Sequence, residues 1–198
     1  MRQIRASFTE STIRVYQAYC HEIADKAVQA QTFVSPFKME RMTWIKPSFL
    51  WMIYRSGWGM KPGQERILAV DISRSGFEWA LAHACLTHYD PAVYASQEDW
   101  LLTKAKSPVR VQFDPDRSPT MEPLDLRAIQ VGLSGEAIQR YVHEWTTKIT
   151  DITGFVHELH ELVRAGQPDV YNPLLPKETL YPVPPDVGSR IGITAVVD

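Results

Sequence analysis

This chain has little excess charge of either sign. Over 198 residues the formal net charge is -2, so the overall balance does not point to a nucleic-acid or anionic-membrane partner, and any basic surface has to be local. Cysteine is scarce too. Cys20 and Cys85 are the only two and form no metal-ligand spacing, so free buried thiols in a reduced compartment are expected rather than a disulfide framework. No apolar run is long enough to span a bilayer and no secretory apolar segment opens the chain, which sets the expectation of a soluble, cytoplasmic protein with no membrane partner. There are no internal repeats, no nucleophile elbow and no dinucleotide fingerprint, and the glycines of "SGWGMKPG" follow no obvious strand and open no helix, as a phosphate loop would. With 44% hydrophobic and 22% charged residues, disorder is excluded, and the length suits one domain with its own core.

What is present reads as mixed α and β. Ile13 to Tyr16 is a β-branched and aromatic strand, and His21 to Ala30 is an amphipathic helix with Ile23, Ala24, Ala27 and Val28 on one face. Ser48 to Ser56 is a short apolar helix that Gly57 and Gly59 end. "RILAVDI" is nearly all apolar, as a strand covered on both faces should be, and Ser75 is placed to cap the helix that follows. A loop with a short helix is expected from Tyr89 to Ala105. "VRVQFDP" alternates, with Val109, Val111 and Phe113 on one side and Arg110 and Gln112 on the other. "DPDRSPTMEP" reads as a turn-rich connection to the strand "RAIQVGL". Ser134 then caps a helix predicted from Ala137, Ile138, Tyr141, Val142, Trp145 and Ile149, and a further helix runs through Phe155, Val156, Leu159, Leu162 and Val163 until Gly166. Residues 1–166 make one α+β domain, and the Pro-rich tail 167–198 is expected to be extended and surface-lying.

Several clusters could carry chemistry. "HELHE" puts His157, His160 and Glu161 on one helical face, but the spacing is not that of a zinc protease and a third ligand is missing, so a solvated face is expected and no metal. His83 and His88 flank Cys85 without ligand spacing. Asp71, at the end of a strand, is either a functional carboxylate or the partner of Arg66 or Arg74. The segment from Lys38 to Lys61 stands out most. Lys38, Arg41, Lys46, Arg55 and Lys61 alternate with Trp44, Phe49, Trp51, Tyr54 and Trp58. Flat rings stack on aromatics and phosphates pair with Lys and Arg, whereas plain core with outward-snorkelling cations, or a dimer interface, would use the same residues. Both readings stay open on the residues alone.

The blocks "MRQIRASFTESTIRVYQAY", "RMTWIKPSFLWMIYRSGW", "KPGQERILAVDI", "GFEWALAHACLTH", "SPVRVQFDPDR" and "RAIQVGLSGEAIQRYV" resemble the family catalogued as domain of unknown function 4291, over Met1 to Arg164. Two blocks carry a more distant resemblance, to ADP-ribosyltransferase folds. "VYQAYCHEIADKAVQAQTFV" is similar to the first block of that fold, where a strand reading Tyr-His-small-Thr/Ser leads into a helix, and Tyr16-Gln17-Ala18-Tyr19 stands in that place. "RAIQVGLSGEAIQRYV" resembles the last block, with Gln130 where the catalytic glutamate would be.

The resemblance implies a split or mixed β-sheet core with flanking helices and NAD as substrate, with ADP-ribose passed to an acceptor such as RNA or DNA. It implies a catalytic set of Gln17, Gln130 and Asp71, with Glu136 as another nearby carboxylate, because cleavage of the nicotinamide–ribose bond builds up oxocarbenium charge that a carboxylate stabilises and a glutamine does not. It also implies cofactor contacts from Tyr16, from Trp51 or Tyr54 stacked on the nicotinamide, and from Lys46 and Arg55 on the diphosphate. Gln17, Tyr54 and Gln130 should then open onto one pocket. The alternative is a non-catalytic nucleotide- or RNA-binding module on the same scaffold, which Gln130 favours.

Overall fold

In the computed structural model, residues 1–194 are described; 195–198, the end of the expected tail, lie outside the described residues. The chain runs through β1 (Arg5–Ala6), β2 (Thr12–Tyr19), α1 (His21–Ala30), β3 (Thr43–Ile45), α2 (Phe49–Ser56), β4 (Arg66–Ser73) and α3 (Arg74–Ala82). It continues through β5 (Ala84–Leu86), α4 (Gln97–Lys106), β6 (Val109–Arg117), β7 (Pro123–Leu133), α5 (Glu136–Arg140), a π turn (Tyr141–Trp145) and β8 (Thr146–Asp151). Helix α6 (Thr153–Arg164), α7 (Pro168–Tyr171), a short 3-10 turn (Asn172–Leu174), β9 (Thr179–Leu180) and α8 (Pro185–Ile191) complete it. The class is α+β.

Two sheets organise these elements. One has the order β2-β4-β8 and is antiparallel throughout. The other has the order β3-β7-β6-β5, antiparallel except where β5 runs parallel to β6. They meet where the Tyr16 N–H donates to the Lys46 carbonyl at 2.7 Å, a single bridge between β2 and the residue after β3. All four expected strands form and are not all parallel. The two blocks of the transferase resemblance, on β2 and β7, are not paired neighbours; β3 lies between them.

The apolar run of β4 is explained by its central place. Leu68, Val70 and Ile72 enter the larger core, and Ile67 and Ala69 enter a second, smaller one around Phe49, Met52, Ile53 and Trp58. Strand β2 divides in the same way, Ile13 and Val15 to one side and Tyr16 to the other. Helix α2 is fixed at both ends. Ser48 Oγ accepts from the Trp51 N–H at 3.2 Å, and Gly57 takes the left-handed conformation (φ 58°) that ends the helix without a Cβ penalty.

Four expectations are corrected. Helix α3 is capped by Ser73, not Ser75: Ser73 Oγ accepts from the Gly76 N–H at 3.2 Å because the helix starts directly at the end of β4. Strand β6 continues through Asp114 to Arg117, with an irregular register near Pro115, so the connection shrinks to the residues around Ser118–Glu122. The helix expected from Ser134 to Ile149 lasts only from Glu136 to Arg140. Gly135 stands at its N-cap, and Ser134 Oγ donates to the Pro108 carbonyl instead. After the π turn the β-branched run around Ile149 is drawn into pairing with β4. Finally, the tail is structured over its described residues, 167–194. β9 pairs with β1, Tyr181 and Ile191 are buried in the larger core, and the Tyr181 hydroxyl donates to Glu78 at 2.8 Å.

Candidate functional site

A cavity of about 640 Å³ opens at the seam between the two sheets. Its walls come from the end of β2 (Gln17, Ala18, Tyr19), the segment Pro36–Lys46, and Met52 and Arg55 of α2. The turn at Gly63–Gln64 and the facing pair Gln112 and Gln130 close it. Four cations, Lys38, Arg41, Lys46 and Arg55, line it, and no carboxylate is among the lining residues.

Each wall residue is placed by a local cause. Gln112 and Gln130 are register partners on β6 and β7 and so project from the same face of that sheet. Both amides donate to Asp114, at 2.9 Å to Oδ1 and 2.7 Å to Oδ2, and hold that carboxylate beside the cavity. Lys46 makes the bridge to Tyr16 and lies two residues before the Ser48 cap of α2, so its backbone is held in place. It is 6% exposed, and its Nζ donates only to the Trp44 carbonyl, at 3.2 Å. Burial, and then the charge of Arg55, bring the Lys46 amine down to about 8, while Asp114 pulls the other way. Lys38, Arg41 and Arg55 are exposed.

Gln17 lines the cavity but is 2% exposed, and its amide is engaged within the protein. Nε2 donates to the Tyr19 hydroxyl and Thr43 Oγ1, both at 2.8 Å, and to the Trp44 carbonyl at 3.3 Å. Oε1 accepts from the buried Tyr141 hydroxyl at 2.6 Å.

Of the residues singled out from the sequence, Gln17, Lys38, Arg41, Trp44, Lys46, Arg55 and Gln130 meet at this cavity. Tyr16, Trp51, Tyr54 and Asp71 are not among its walls. Tyr16 packs edge-on against Phe49 in the smaller core. Trp51 stacks on Tyr54 with ring centroids 5.3 Å apart, and the Arg117 guanidinium covers Tyr54 at 3.6 Å. The shared pocket expected of Gln17, Tyr54 and Gln130 therefore holds for the two glutamines and not for Tyr54. Asp71 does pair with an arginine, but with Arg14, in a two-pronged contact at 2.8 and 2.9 Å, because the two are register partners on β2 and β4. Arg66 is taken by Asp151 and Asp25, and Arg74 by Glu78. Glu136 pairs along its own helix with Arg140.

Gln112, Asp114 and Thr43 escaped the sequence reading as site residues. The signal for Gln112 was visible as the polar side of the β6 alternation; the other two depend on strand register. In the histidine cluster, His160 stacks on Trp58 at 4.6 Å. Among the described residues no three His, Cys, Asp or Glu side chains gather to hold a metal, and no helix is long and apolar enough to cross a membrane. Cys85 is buried and Cys20 half-buried, both as free thiols.

Residues 3–181 match the model of a family described as Domain of unknown function (DUF4291), and the chain belongs to that family. No curated protein matches the chain. Every residue lining the cavity lies within the matched stretch.

Proposed function

We propose that this protein binds NAD or a related nucleotide in the seam cavity, as a domain of ADP-ribosyltransferase type. The observation that supports the reading best is the charge of the walls: four cations, glutamines and no carboxylate. A buried ammonium without a counter-ion is costly, and a diphosphate would supply the missing anion to Lys46 while Arg41 and Arg55 hold it from the rim. Gln112 and Gln130 keep their carbonyl oxygens available to accept from ribose hydroxyls, since their amide donors are the atoms committed to Asp114. The stacking role that the resemblance gives to Trp51 or Tyr54 passes to Trp44, which does line the cavity.

Transfer of ADP-ribose, to a nucleic acid or another acceptor, needs a carboxylate near the ribose as positive charge develops. Asp114 is the candidate in place of Asp71, because two residues that line the cavity, Gln112 and Gln130, both bond to it, while Asp71 is tied to Arg14. The second reading, a non-catalytic nucleotide- or RNA-binding module, is favoured by one particular: the amide of Gln17 is already spent on Tyr19, Thr43, Trp44 and Tyr141.

Titration calorimetry at low salt with NAD, ADP-ribose and a short oligonucleotide tests both. A charge-assisted phosphate contact contributes about 1.5–3 kcal/mol. Arg55 is exposed, so the lower end applies, and Arg55→Ala should weaken nucleotide binding about tenfold with an unchanged melting temperature. Oligonucleotide binding, if it is the function, should fall steeply as salt rises. Wild-type protein with no affinity for any of the three would end the binding reading.

A further inference from the structure

Lys46 is the only lysine among the buried residues of the described chain. Lys38 lines the same cavity but is exposed, and three others are engaged elsewhere. Lys26 pairs with Glu22 on the surface of α1, Lys61 bonds the Arg55 carbonyl, and Lys104 lies over the Trp100 ring while bonding the Thr87 carbonyl. Lys46 has a single backbone carbonyl as partner and no ion pair, and it lines a cavity large enough for a sugar phosphate. A buried amine in that position has two ways to avoid the cost of an uncompensated charge: it waits for an anion, or it loses its proton and becomes a nucleophile. Desolvation and the neighbouring Arg55 move it toward the second, against the pull of Asp114, with the amine brought to about 8, so that roughly a tenth of it is neutral at pH 7. A nearby cation and burial are a known route to lysines that attack carbonyl carbon.

We propose that Lys46 forms a Schiff base with the open-chain aldehyde of a ribose that carries a 5′-phosphate, the phosphate being held by Arg41 and Arg55. The proposal rests on the nucleotide-binding reading and adds a covalent step to it. The lone pair of Nζ attacks C1 of the open-chain sugar, and the carbonyl electron pair moves to oxygen, which takes up a proton. The nitrogen gives up one proton to solvent; the hydroxyl then takes up a proton and leaves as water as the nitrogen lone pair forms the C=N bond, and loss of the remaining N–H proton gives the neutral imine. One amine and one aldehyde give one imine and one water, with no net oxidation. Gln112 and Gln130 are placed to accept from the sugar hydroxyls, which orients C1 toward the amine.

The test is reductive trapping of the intact protein. Wild-type protein is incubated with ADP-ribose, or separately with ribose 5-phosphate, in the presence of sodium cyanoborohydride, which converts the imine to a stable secondary amine. Intact mass should show one adduct, and peptide mapping should place it at Lys46, at least tenfold faster than at exposed lysines such as Lys26 or Lys148. The trapping rate should climb as pH rises toward about 8. Lys46→Arg, checked for folding by thermal melt, should lose the adduct; if that variant does not fold, the wild-type peptide map still decides. Adducts spread evenly over surface lysines would overturn the proposal. Calorimetry without reductant separates the two levels. Lys46 left unmodified while ADP-ribose or NAD binds refutes the Schiff base and spares nucleotide binding, whereas no reaction together with no affinity for ADP-ribose, NAD or the oligonucleotide refutes both.

Discussion

Replacing Gln17 by alanine separates a ligand-binding glutamine from a structural one. In the native protein this side chain makes four hydrogen bonds, one to Tyr19 within β2 and three that tie β2 to the strand Thr43–Ile45 and to Tyr141. Alanine removes all four, but the consequences differ. The Tyr19 hydroxyl and Thr43 Oγ1 still bond each other at 2.9 Å. The Tyr141 hydroxyl, on a residue 0% exposed, has only Gln17 Oε1 as its acceptor. An orphaned buried hydroxyl costs about 1–3 kcal/mol, and the bonds lost at Nε2 add about 1 kcal/mol. Water entering from the adjoining cavity would rehydrate part of the space, which holds the sum near ~2–4 kcal/mol. For a chain of this length that corresponds to a fall of roughly 5–15 °C in melting temperature. Tyr141→Phe removes the same contact from the other side, so the double variant should be less destabilised than the sum of the singles, by about 1 kcal/mol or more. Thermal melts and urea unfolding of the three variants supply the numbers. If Gln17→Ala shifts the melting temperature by less than about 2 °C yet abolishes nucleotide binding, the side chain serves the ligand and the structural argument fails.

How far the chain could be read in advance follows from which forces are local. The sequence places helix α1 at its observed bounds, His21–Ala30, because the apolar spacing of Ala24 and Ala27 and the strand before it are local signals. The burial of β4 on both faces was legible for a similar reason: a strand without polar alternation has to be covered twice. The stretch from Ser134 to Ile149 misled because Ile149 falls at a helical interval from Trp145 by coincidence. Its actual state is set by pairing with Val70, nearly eighty residues away in sequence. The site divides along the same line. The cations of Lys38–Arg55 could be seen as a group, but which side of α2 meets the cavity depends on its rotation, fixed by Phe49 and Ile53 in the smaller core. That rotation brings Met52 and Arg55 to the cavity and turns Trp51 and Tyr54 toward Arg117. Asp71 found Arg14 rather than Arg66 or Arg74 because register, not proximity in sequence, decides who faces whom across a sheet.

Two further outcomes test the packing and the electrostatics around α2 and α3. A Cβ added at Gly76 would come 2.3 Å from Trp145 Cγ, so Gly76→Ala should destabilise by about 1–3 kcal/mol even though alanine is the better helix former; a neutral or stabilising result in urea would show that α3 does not pack on the π turn this closely. Glu178 concerns pH. Its Oε1 accepts from the Phe49 N–H at 2.7 Å, at the start of α2, and burial, joined by the charge of Asp116, raises it from 4.5 to about 8 against the pull of that hydrogen bond and of Arg5. The folded protein therefore keeps a proton that the unfolded chain releases above 4.5. Stability contributed by this group is fully present below about 4.5, falls as pH rises toward about 8, and is flat beyond. Asp116, raised by its own burial, acts with the same sign. For a half-buried side chain the loss should be about 1–3 kcal/mol between those limits. Glu178→Gln keeps an oxygen acceptor for the Phe49 N–H but cannot ionise, so its unfolding free energy should fall less between pH 5 and pH 8.5 than that of the wild type. Equal slopes for the two proteins in urea titrations at those pH values would mean that Glu178 is already ionised at neutral pH, with the N-terminus of α2 outweighing burial.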